Sequence, residues 1–350
     1  MSRRPPAGLA AVRAARVPDS RRLRVGVIGL GSGCTHIDGW RQHPNVDVVA
    51  LADADADRLD VAGERFDVAT CYTCAETMLD IERFDVISLC TPNRFHKALA
   101  IAALEAGCHV LCEKPMALGA TEAREMLAAA RRNGRRLMVN FPCRFSAQSR
   151  ALKAQVDAGL FGDFYFGRSV WHRRRGLPDG SRALADLGVH RLDLALWLMG
   201  HPRPTWVLGS THEPTAGGGW AGDVGDLATA LIRFDNGATL VLEASRATHI
   251  GEAELMETRL FGTRAGLLQK NLDGGPRCEA QIFLEQAGTP CDLHLRPAAP
   301  EAPSAMYEFA EAILNERPHP APGEEGLVVM EILDAICQSA RSGEPVRFAA

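Results

Sequence analysis

Two stretches of this chain place groups that could move a proton. The first is His109-Val110-Leu111-Cys112-Glu113-Lys114-Pro115, a short apolar run that ends in a carboxylate, an amine and a proline. Such a run reads as a buried strand. Ligands of an open parallel sheet bind outside the carboxyl ends of its strands, so Lys114 would be aimed into a crevice. The proline fixes the φ that follows and makes a cis peptide accessible. Taken alone, the stretch also suits a surface Glu-Lys pair closing a strand. The second stretch is Ala185-Asp186-Leu187-Gly188-Val189-His190-Arg191-Leu192-Asp193. Helical spacing puts Asp186 and His190 on one face about a turn apart, with Asp193 roughly on the same side. An acid so placed can fix an imidazole's tautomer and orientation while the histidine exchanges a proton. The competing reading is an aspartate at a helix N-terminus beside a solvated histidine.

The elements that must position these groups are legible from residue 23 onward. Leu23-Arg24-Val25-Gly26-Val27-Ile28 leads into Gly29-Leu30-Gly31-Ser32-Gly33-Cys34-Thr35-His36. A strand, a glycine-rich turn and a helix together form the arrangement that cradles a pyrophosphate on backbone amides. The match to GxGxxG is imperfect, because Cys34 occupies the sixth position. Either a small cysteine replaces the third glycine there, or the loop is one residue short and Gly33 takes its place. The next strand, 46–52, ends at Asp53, placed to accept hydrogen bonds from an adenosine ribose and to repel a 2′-phosphate. No arginine follows at once (Ala54, Asp55, Ala56, Asp57, then Arg58), which favours NAD over NADP. Helix over 57–66 and strand over 68–72 continue the rhythm. A strand over 85–90 stops at Thr91-Pro92-Asn93-Arg94-Phe95-His96 and is followed by helix to 106. After the Lys114 strand come a helix over 121–133 and a strand over 136–141. Alternation at this spacing implies a doubly wound parallel sheet.

Beyond Arg144 the texture changes. Helices are expected over 147–158 and 185–199, and strands over 164–172, 205–210, 227–234, 238–245, 256–261 and 281–286. Asp235-Asn236-Gly237 marks a hairpin. Helices over 306–315 and 325–342 close the chain. The fold class is therefore α/β: a doubly wound parallel sheet over 23–143, then an α+β domain over 144–345 with a large, mostly antiparallel open sheet. Open sheets of that kind often pair between subunits, so a homo-oligomer is expected. Residues 1–22, rich in Arg, Pro and Ala, read as a disordered extension rather than an export signal, because prolines and Arg13 break the apolar run.

Composition narrows the partners. At 46% hydrophobic, 23% charged and a net charge of -4, nothing argues for nucleic acid or an anionic membrane surface. No apolar run is long enough to span a bilayer. Most of the ten cysteines sit in apolar runs, as reduced core cysteines do, which points to the cytoplasm. Cys71 and Cys74 form a lone CxxC at a strand-to-helix junction, with no second pair to complete a metal site.

One reaction suits the whole residue set. Hydride transfer between a carbinol carbon and nicotinamide needs the hydroxyl proton removed in step, and Lys114 and His190 both offer a base. Arg144 and Asn93 could hold polar groups of substrate or cofactor.

In these marks the chain resembles the Gfo/Idh/MocA family (glucose–fructose oxidoreductase, inositol dehydrogenase, rhizopine catabolism protein) over nearly all of 23–345. They are Gly29-Leu30-Gly31 with His36, Asp53, the Thr91–His96 hexapeptide, Glu113-Lys114-Pro115 and the DxGxHxxD of 186–193. The resemblance implies an NAD(P)-binding Rossmann domain, with Gly29, Gly31, Gly33, Cys34, Asp53, Thr91, Pro92, Asn93, His96, Glu113 and Lys114 about the cofactor. It implies a C-terminal domain whose sheet forms dimers or tetramers, and oxidation or reduction of a ring hydroxyl on a sugar, cyclitol or related polyol. Lys114 and His190 would be the acid/base pair and Asp186 their substrate-orienting partner, with Arg144, Asp186 and His190 against the substrate and no metal. The chain departs from the family in its phosphate loop and in a short stretch between Arg175-Gly176-Leu177-Pro178 and Asp186. Two other activities fit the same fold: an NAD-dependent, redox-neutral glycosidase, and a ligand sensor without catalysis. The intact Lys114, Asp186, His190 set argues against the sensor.

Overall fold

The computed structural model describes residues 21–174, 183–212, 225–275, 277–296 and 303–349. Residues 1–20 of the N-terminal extension, most of the shortened stretch after Arg175 and the Gly217-Gly218-Gly219 run lie outside the described residues, while Arg21 and Arg22 pair with Asp85 and Asp47.

The first half is the expected doubly wound sheet. Its strands are β1 (Leu23–Ile28), β2 (Val46–Ala52), β3 (Cys71–Tyr72), β4 (Val86–Leu89), β5 (His109–Glu113) and β6 (Leu137–Asn140), all parallel, in the order β3-β2-β1-β4-β5-β6. That order reverses between β1 and β4, and ligands of such sheets bind at the reversal, outside the strand carboxyl ends. The strands are buried on both faces, which explains their apolar runs; Leu23, Val25, Val86, Ile87, Val110 and Leu111 are fully shielded. Helices α1 (Leu30–Arg41), α2 (Ala56–Phe66), α3 (Ala75–Ile81), α4 (His96–Glu105) and α5 (Ala120–Arg132) cover the sheet. Cys74 lies at the start of α3, an element that the spacing of apolar residues does not announce.

Among the described residues the second half has nine strands: β7 (Phe164–Arg174), β8 (Pro204–His212), β9 (Leu227–Phe234), β10 (Thr239–Thr248), β11 (Glu254–Gly262), β12 (Ala265–Asn271), β13 (Cys278–Gln286), β14 (Thr289–Leu295) and β15 (Val346–Arg347). They form one sheet in the order β14-β13-β12-β11-β7-β10-β9-β8-β15, antiparallel except for the β7–β10 pair. β12, β14 and β15 are additional to the expected strands. Gly237, at φ 84°, makes the β9–β10 hairpin as its Asp-Asn-Gly sequence requires. Side chains alternate: Ala228, Ala230 and Ile232 of β9 and Leu240, Leu242 and Ala244 of β10 are buried, while Thr229, Leu231, Val241 and Glu243 between them are half-exposed. One face is thus covered by α6 (Ala147–Asp157), α7 (Val189–Leu198) and α9 (Gly323–Ser342), and the other is open.

Two C-terminal helices bind the halves together. On α8 (Ala305–Leu314), Phe309 packs on Trp40 of α1, and Gly39 leaves room for Met306, whose sulfur would lie 2.9 Å from a Cβ there. Along α9, Gly326 makes the same allowance for Val139 and Met116. The end of β5 meets the second half of the chain just before α7, where Lys114 Nζ lies 3.8 Å from Asp186 Oδ1.

Candidate active site

At the end of β1, Gly29 has φ 87°, and a Cβ there would lie 2.7 Å from the backbone of Cys90 and Thr91. Only glycine fits. A Cβ at Gly31 would meet nothing within 4 Å, so the first turn of α1 is bare on its cleft side. A Cβ at Gly33 would lie 3.1 Å from Val27 and 3.6 Å from Cys90, so Gly33 performs the close helix-to-strand packing of a third glycine. The loop is one residue short, and Cys34 turns its thiol back to the Leu30 carbonyl at 3.4 Å.

Asp53 ends β2 with its carboxylate almost enclosed. It accepts from the N–H of Leu30 at 2.6 Å and of Asp55 at 2.9 Å, and Arg58 reaches both oxygens at 3.1 and 3.2 Å. Burial works to raise this carboxyl, but the Asp55 and Leu30 amides and Arg58 outweigh it and hold it below its ordinary value. Arg58 was not legible as part of this site, since it returns to Asp53 only through the first turn of α2. Gly29, Gly31, Asp53, Arg58, Thr91 and Pro92 line one cleft of about 660 Å³. The Thr91 hydroxyl is buried there without a partner among the described residues. A bare helix N-terminus, an ionised acid at the ribose position and an unsatisfied hydroxyl fit a dinucleotide.

His96 does not reach that cleft. Its ring is buried between the Thr91-Pro92 loop and the Lys114 loop, Nδ1 3.0 Å from the Pro115 carbonyl oxygen and Nε2 2.7 Å from that of Thr91, and the nitrogen that carries the proton donates to its carbonyl. Asn93 lies apart as well, with Pro115, Leu184 and Ala185 on a separate cavity of about 400 Å³.

Glu113 closes β5 and supports Lys114 from below. One carboxylate oxygen accepts from His36 Nε2 at 2.9 Å and Asn140 Nδ2 at 2.5 Å; the other accepts from the Lys114 N–H at 3.1 Å. With Nε2 carrying the proton, His36 Nδ1 accepts from Ser88 at 2.8 Å. Burial would raise Glu113, but His36, Asn140 and Lys114 bring it to about 2. Ser88, His36 and Asn140 end or adjoin the central strands, and only His36 stood out in the sequence. The Lys114–Pro115 peptide is cis.

Asp186 and His190 do not form the expected pair. Residues Ala183–Gly188 make a wider π turn before α7 begins, so helical four-residue spacing does not hold between the two. Asp186 meets Lys114 instead: Nζ lies 3.8 Å from Oδ1 and 3.4 Å from the Asp186 carbonyl oxygen. Nδ1 of His190 has no partner among the described residues, and the ring packs on Trp171, centroid to centroid 5.5 Å. Burial, then the nearby charges of Lys114 and Arg191, push His190 well below its ordinary value, so its imidazole is neutral at pH 7.

Arg144 is not a ligand-facing residue. It is 2% exposed; Nε donates to Asp193 Oδ2 at 2.8 Å, Nη2 to the other Asp193 oxygen, and Nη1 to Glu325 and to the Pro320 carbonyl at 3.0 Å. All its donor nitrogens are committed to joining 142–145, α7 and α9. Asp193 therefore faces Arg144 rather than the imidazole.

The histidines make a pH prediction. His109 is held at about 4, first by burial and then by Arg135 and Arg136; His319 is held at about 4 by burial and Arg136. A histidine with a folded pKa below its unfolded value of about 6.5 binds its proton first in the unfolded chain, so acid favours unfolding. The melting temperature should hold above about pH 6.5 and fall between about 6.5 and 4. Glu113 adds its own loss only as pH drops below 4.5 toward about 2. Calorimetric scans against pH read this directly; a flat melting temperature across the histidine window contradicts it.

Comparison with known proteins agrees with this architecture. A family profile described as "Oxidoreductase family, NAD-binding Rossmann fold" matches residues 23–141, and its companion, the C-terminal alpha/beta domain, matches 162–348. The chain belongs to the Gfo/Idh/MocA oxidoreductase family. It is similar to the D-glucoside 3-dehydrogenase of Escherichia coli K12, 30% identical over 353 residues covering 94% of this chain and 98% of that protein. It is also similar to the D-apiose dehydrogenase of Paraburkholderia graminis, 32% identical over 351 residues covering 94% and 90%. Among solved structures, levoglucosan dehydrogenase in complex with NADH and levoglucosan superposes with a TM-score of 0.79 at 25% identity, covering 93% of this chain and 99% of that one. The chain is thus an NAD-binding oxidoreductase of the sugar and polyol dehydrogenase family. No helix among the described residues is long and apolar enough to cross a membrane.

Proposed function

We propose that this protein moves a hydride between nicotinamide and a ring carbinol or keto carbon of a sugar, cyclitol or related polyol, with Lys114 and His190 as the acid/base pair. The observation that carries the reading is a buried His190 whose Nδ1 has no partner among the described residues, on the same short segment as Asp186, which holds the Lys114 amine at 3.8 Å. NAD, when bound, supplies the hydride acceptor or donor. Gly29, Gly31, Gly33, Asp53, Thr91 and Pro92 would hold it. His96 and the Glu113–His36 pair position the Lys114 loop rather than touch the reacting atoms, and Asp186 fixes the lysine amine. A neutral imidazole can accept the carbinol proton, and the ammonium can stabilise the developing alkoxide or return a proton in the reverse direction. The glucoside and apiose dehydrogenase relatives support the substrate class.

We infer also that the protein is a cytoplasmic homodimer or homotetramer built on the open face of the nine-stranded sheet. Buried thiols such as Cys90, Cys108 and Cys112 support the compartment. A half-exposed face carrying Phe166 against Phe261, with Leu208 40% exposed, supports the assembly.

A panel of polyols and glycosides incubated with NAD should give growth of the nicotinamide absorbance for at least one ring polyol. No NAD binding, or no reduction with any member, would count against the reading.

A further inference from the structure

Among the described residues two arginines are deeply buried, Arg191 on α7 and Arg144 against it, and they are treated in opposite ways. Arg144 has Asp193 and Glu325. Arg191, 3% exposed and next in sequence to His190, has no carboxylate within ion-pair reach among the described residues. Its Nη2 donates to the Cys143 thiol at 3.3 Å, a weak acceptor, its guanidinium lies 5.3 Å from the Trp171 ring centroid, and its Nε has no acceptor among the described residues. An enclosed cation without a counter-charge is costly, and such a group calls for a partner that the protein itself does not supply.

Arg191 borders a chamber of about 540 Å³ that also takes in Cys143, Trp171, Glu254, Met256 and Gln269. Glu254 does not neutralise it, since Arg173 Nε holds that carboxylate at 2.8 Å. The remaining charge at the chamber wall is therefore the single positive one of Arg191. Gln269 adds an oriented acceptor: its Nε2 donates to Ser149 at 2.8 Å, and its Oε1 is buried without a partner. Trp171 lines this chamber and packs on the His190 ring, centroid to centroid 5.5 Å, so the chamber lies one indole away from the imidazole.

Building on the dehydrogenase reading, we propose that Arg191 is a specificity residue that receives a carboxylate on the non-reacting end of the substrate. The preferred class is then an acidic sugar or polyol, a uronic or aldonic acid, with a hydroxyl donating to Gln269. A lone guanidinium matches a monoanion in bidentate geometry, whereas a phosphate dianion leaves one charge unmet.

Calorimetric titration of the full chain loaded with NADH, using glucose, glucuronate, gluconate and glucose 6-phosphate, tests this. At least one of the two acids should bind about tenfold or more tightly than glucose. Arg191→Gln should bring that acid to the level of glucose, and Arg191→Lys should recover part of the difference. If neither acid binds more tightly than glucose in the wild-type protein, or the preference survives in Arg191→Gln, the proposal is overturned. Tighter binding of the sugar phosphate than of both acids overturns the carboxylate assignment. The wild-type comparison decides even where Arg191→Gln does not fold. Turnover is read separately in the oxidising direction: acid preference without NAD reduction leaves Arg191 its role and counts against the dehydrogenase reading, while turnover of neutral sugars without acid preference does the reverse.

Discussion

Replacing Lys114 by alanine should lower kcat/KM by roughly 10²- to 10⁴-fold, the range that one positioned acid/base group supplies. The loss should fall mainly on kcat, because the cleft of Gly29, Gly31 and Asp53 that would hold the adenosine half of the cofactor does not include this side chain. The fold should survive. Lys114 pairs with Asp186 at 3.8 Å in a partly exposed position, a contact worth little to stability. A second sign accompanies the loss. Burial comes first in depressing His190 and the Lys114 charge second, so removing the ammonium lets the imidazole pKa rise. The acid limb of the residual activity should therefore move to higher pH. Steady-state kinetics against pH on wild type and Lys114→Ala measure both, and full activity in the variant removes the lysine from the mechanism.

Arg144→Ala should produce the largest stability loss, about 3–5 kcal/mol, the cost of breaking a buried ion pair from one side. The variant strands the Asp193 carboxylate, 0% exposed, and takes from Glu325 one of its two partners, leaving His201 at 3.1 Å. It also withdraws the guanidinium from the rings of Phe141 at 5.3 Å and Trp197 at 5.9 Å. Arg144→Met combined with Asp193→Leu should recover most of the loss, since apolar replacement of a whole buried pair is often neutral. By contrast, removing the surface Lys153–Asp157 pair, in which Lys153 is half-buried and Asp157 exposed, should change stability by less than about 1 kcal/mol. Urea titration of the variants gives the comparison. A small effect in Arg144→Ala would mean that water reaches Asp193.

The parallel half was readable because its strands are shielded on both faces and carry unbroken β-branched runs between glycines and caps. Lys114 was readable for the same reason: an apolar strand makes the polar residues at its carboxyl end conspicuous. What escaped has local causes. α3 has only two turns and no side-chain cap. In β12 the inward position of Gln269 breaks the apolar alternation. β14 opens on Thr289-Pro290 and lies at the sheet edge, where proline is tolerated and little is buried.

The site was legible as a residue set and not as a set of contacts. Arg144 carries the right chemistry for a ligand, but its partners lie 49 and 181 residues away, and only the fold shows that its donors are spent. Asp186 and His190 are four apart, yet the π turn turns the acid toward Lys114. The contributions of Trp171, Arg58, Ser88 and Asn140 come from strand ends and helix starts meeting in space, for which spacing along the chain gives no signal.

The most direct measurement follows a deuterium atom. A ring polyol that the enzyme turns over, labelled at the carbinol carbon, should pass its deuterium to NAD, giving labelled reduced cofactor by mass spectrometry in proportion to ketone formed, and Lys114→Ala should slow that transfer. Cleavage of a glycoside that requires NAD but leaves no net labelled NADH, or ketone formed with the label released to water, would contradict a dehydrogenase built on Lys114 and His190.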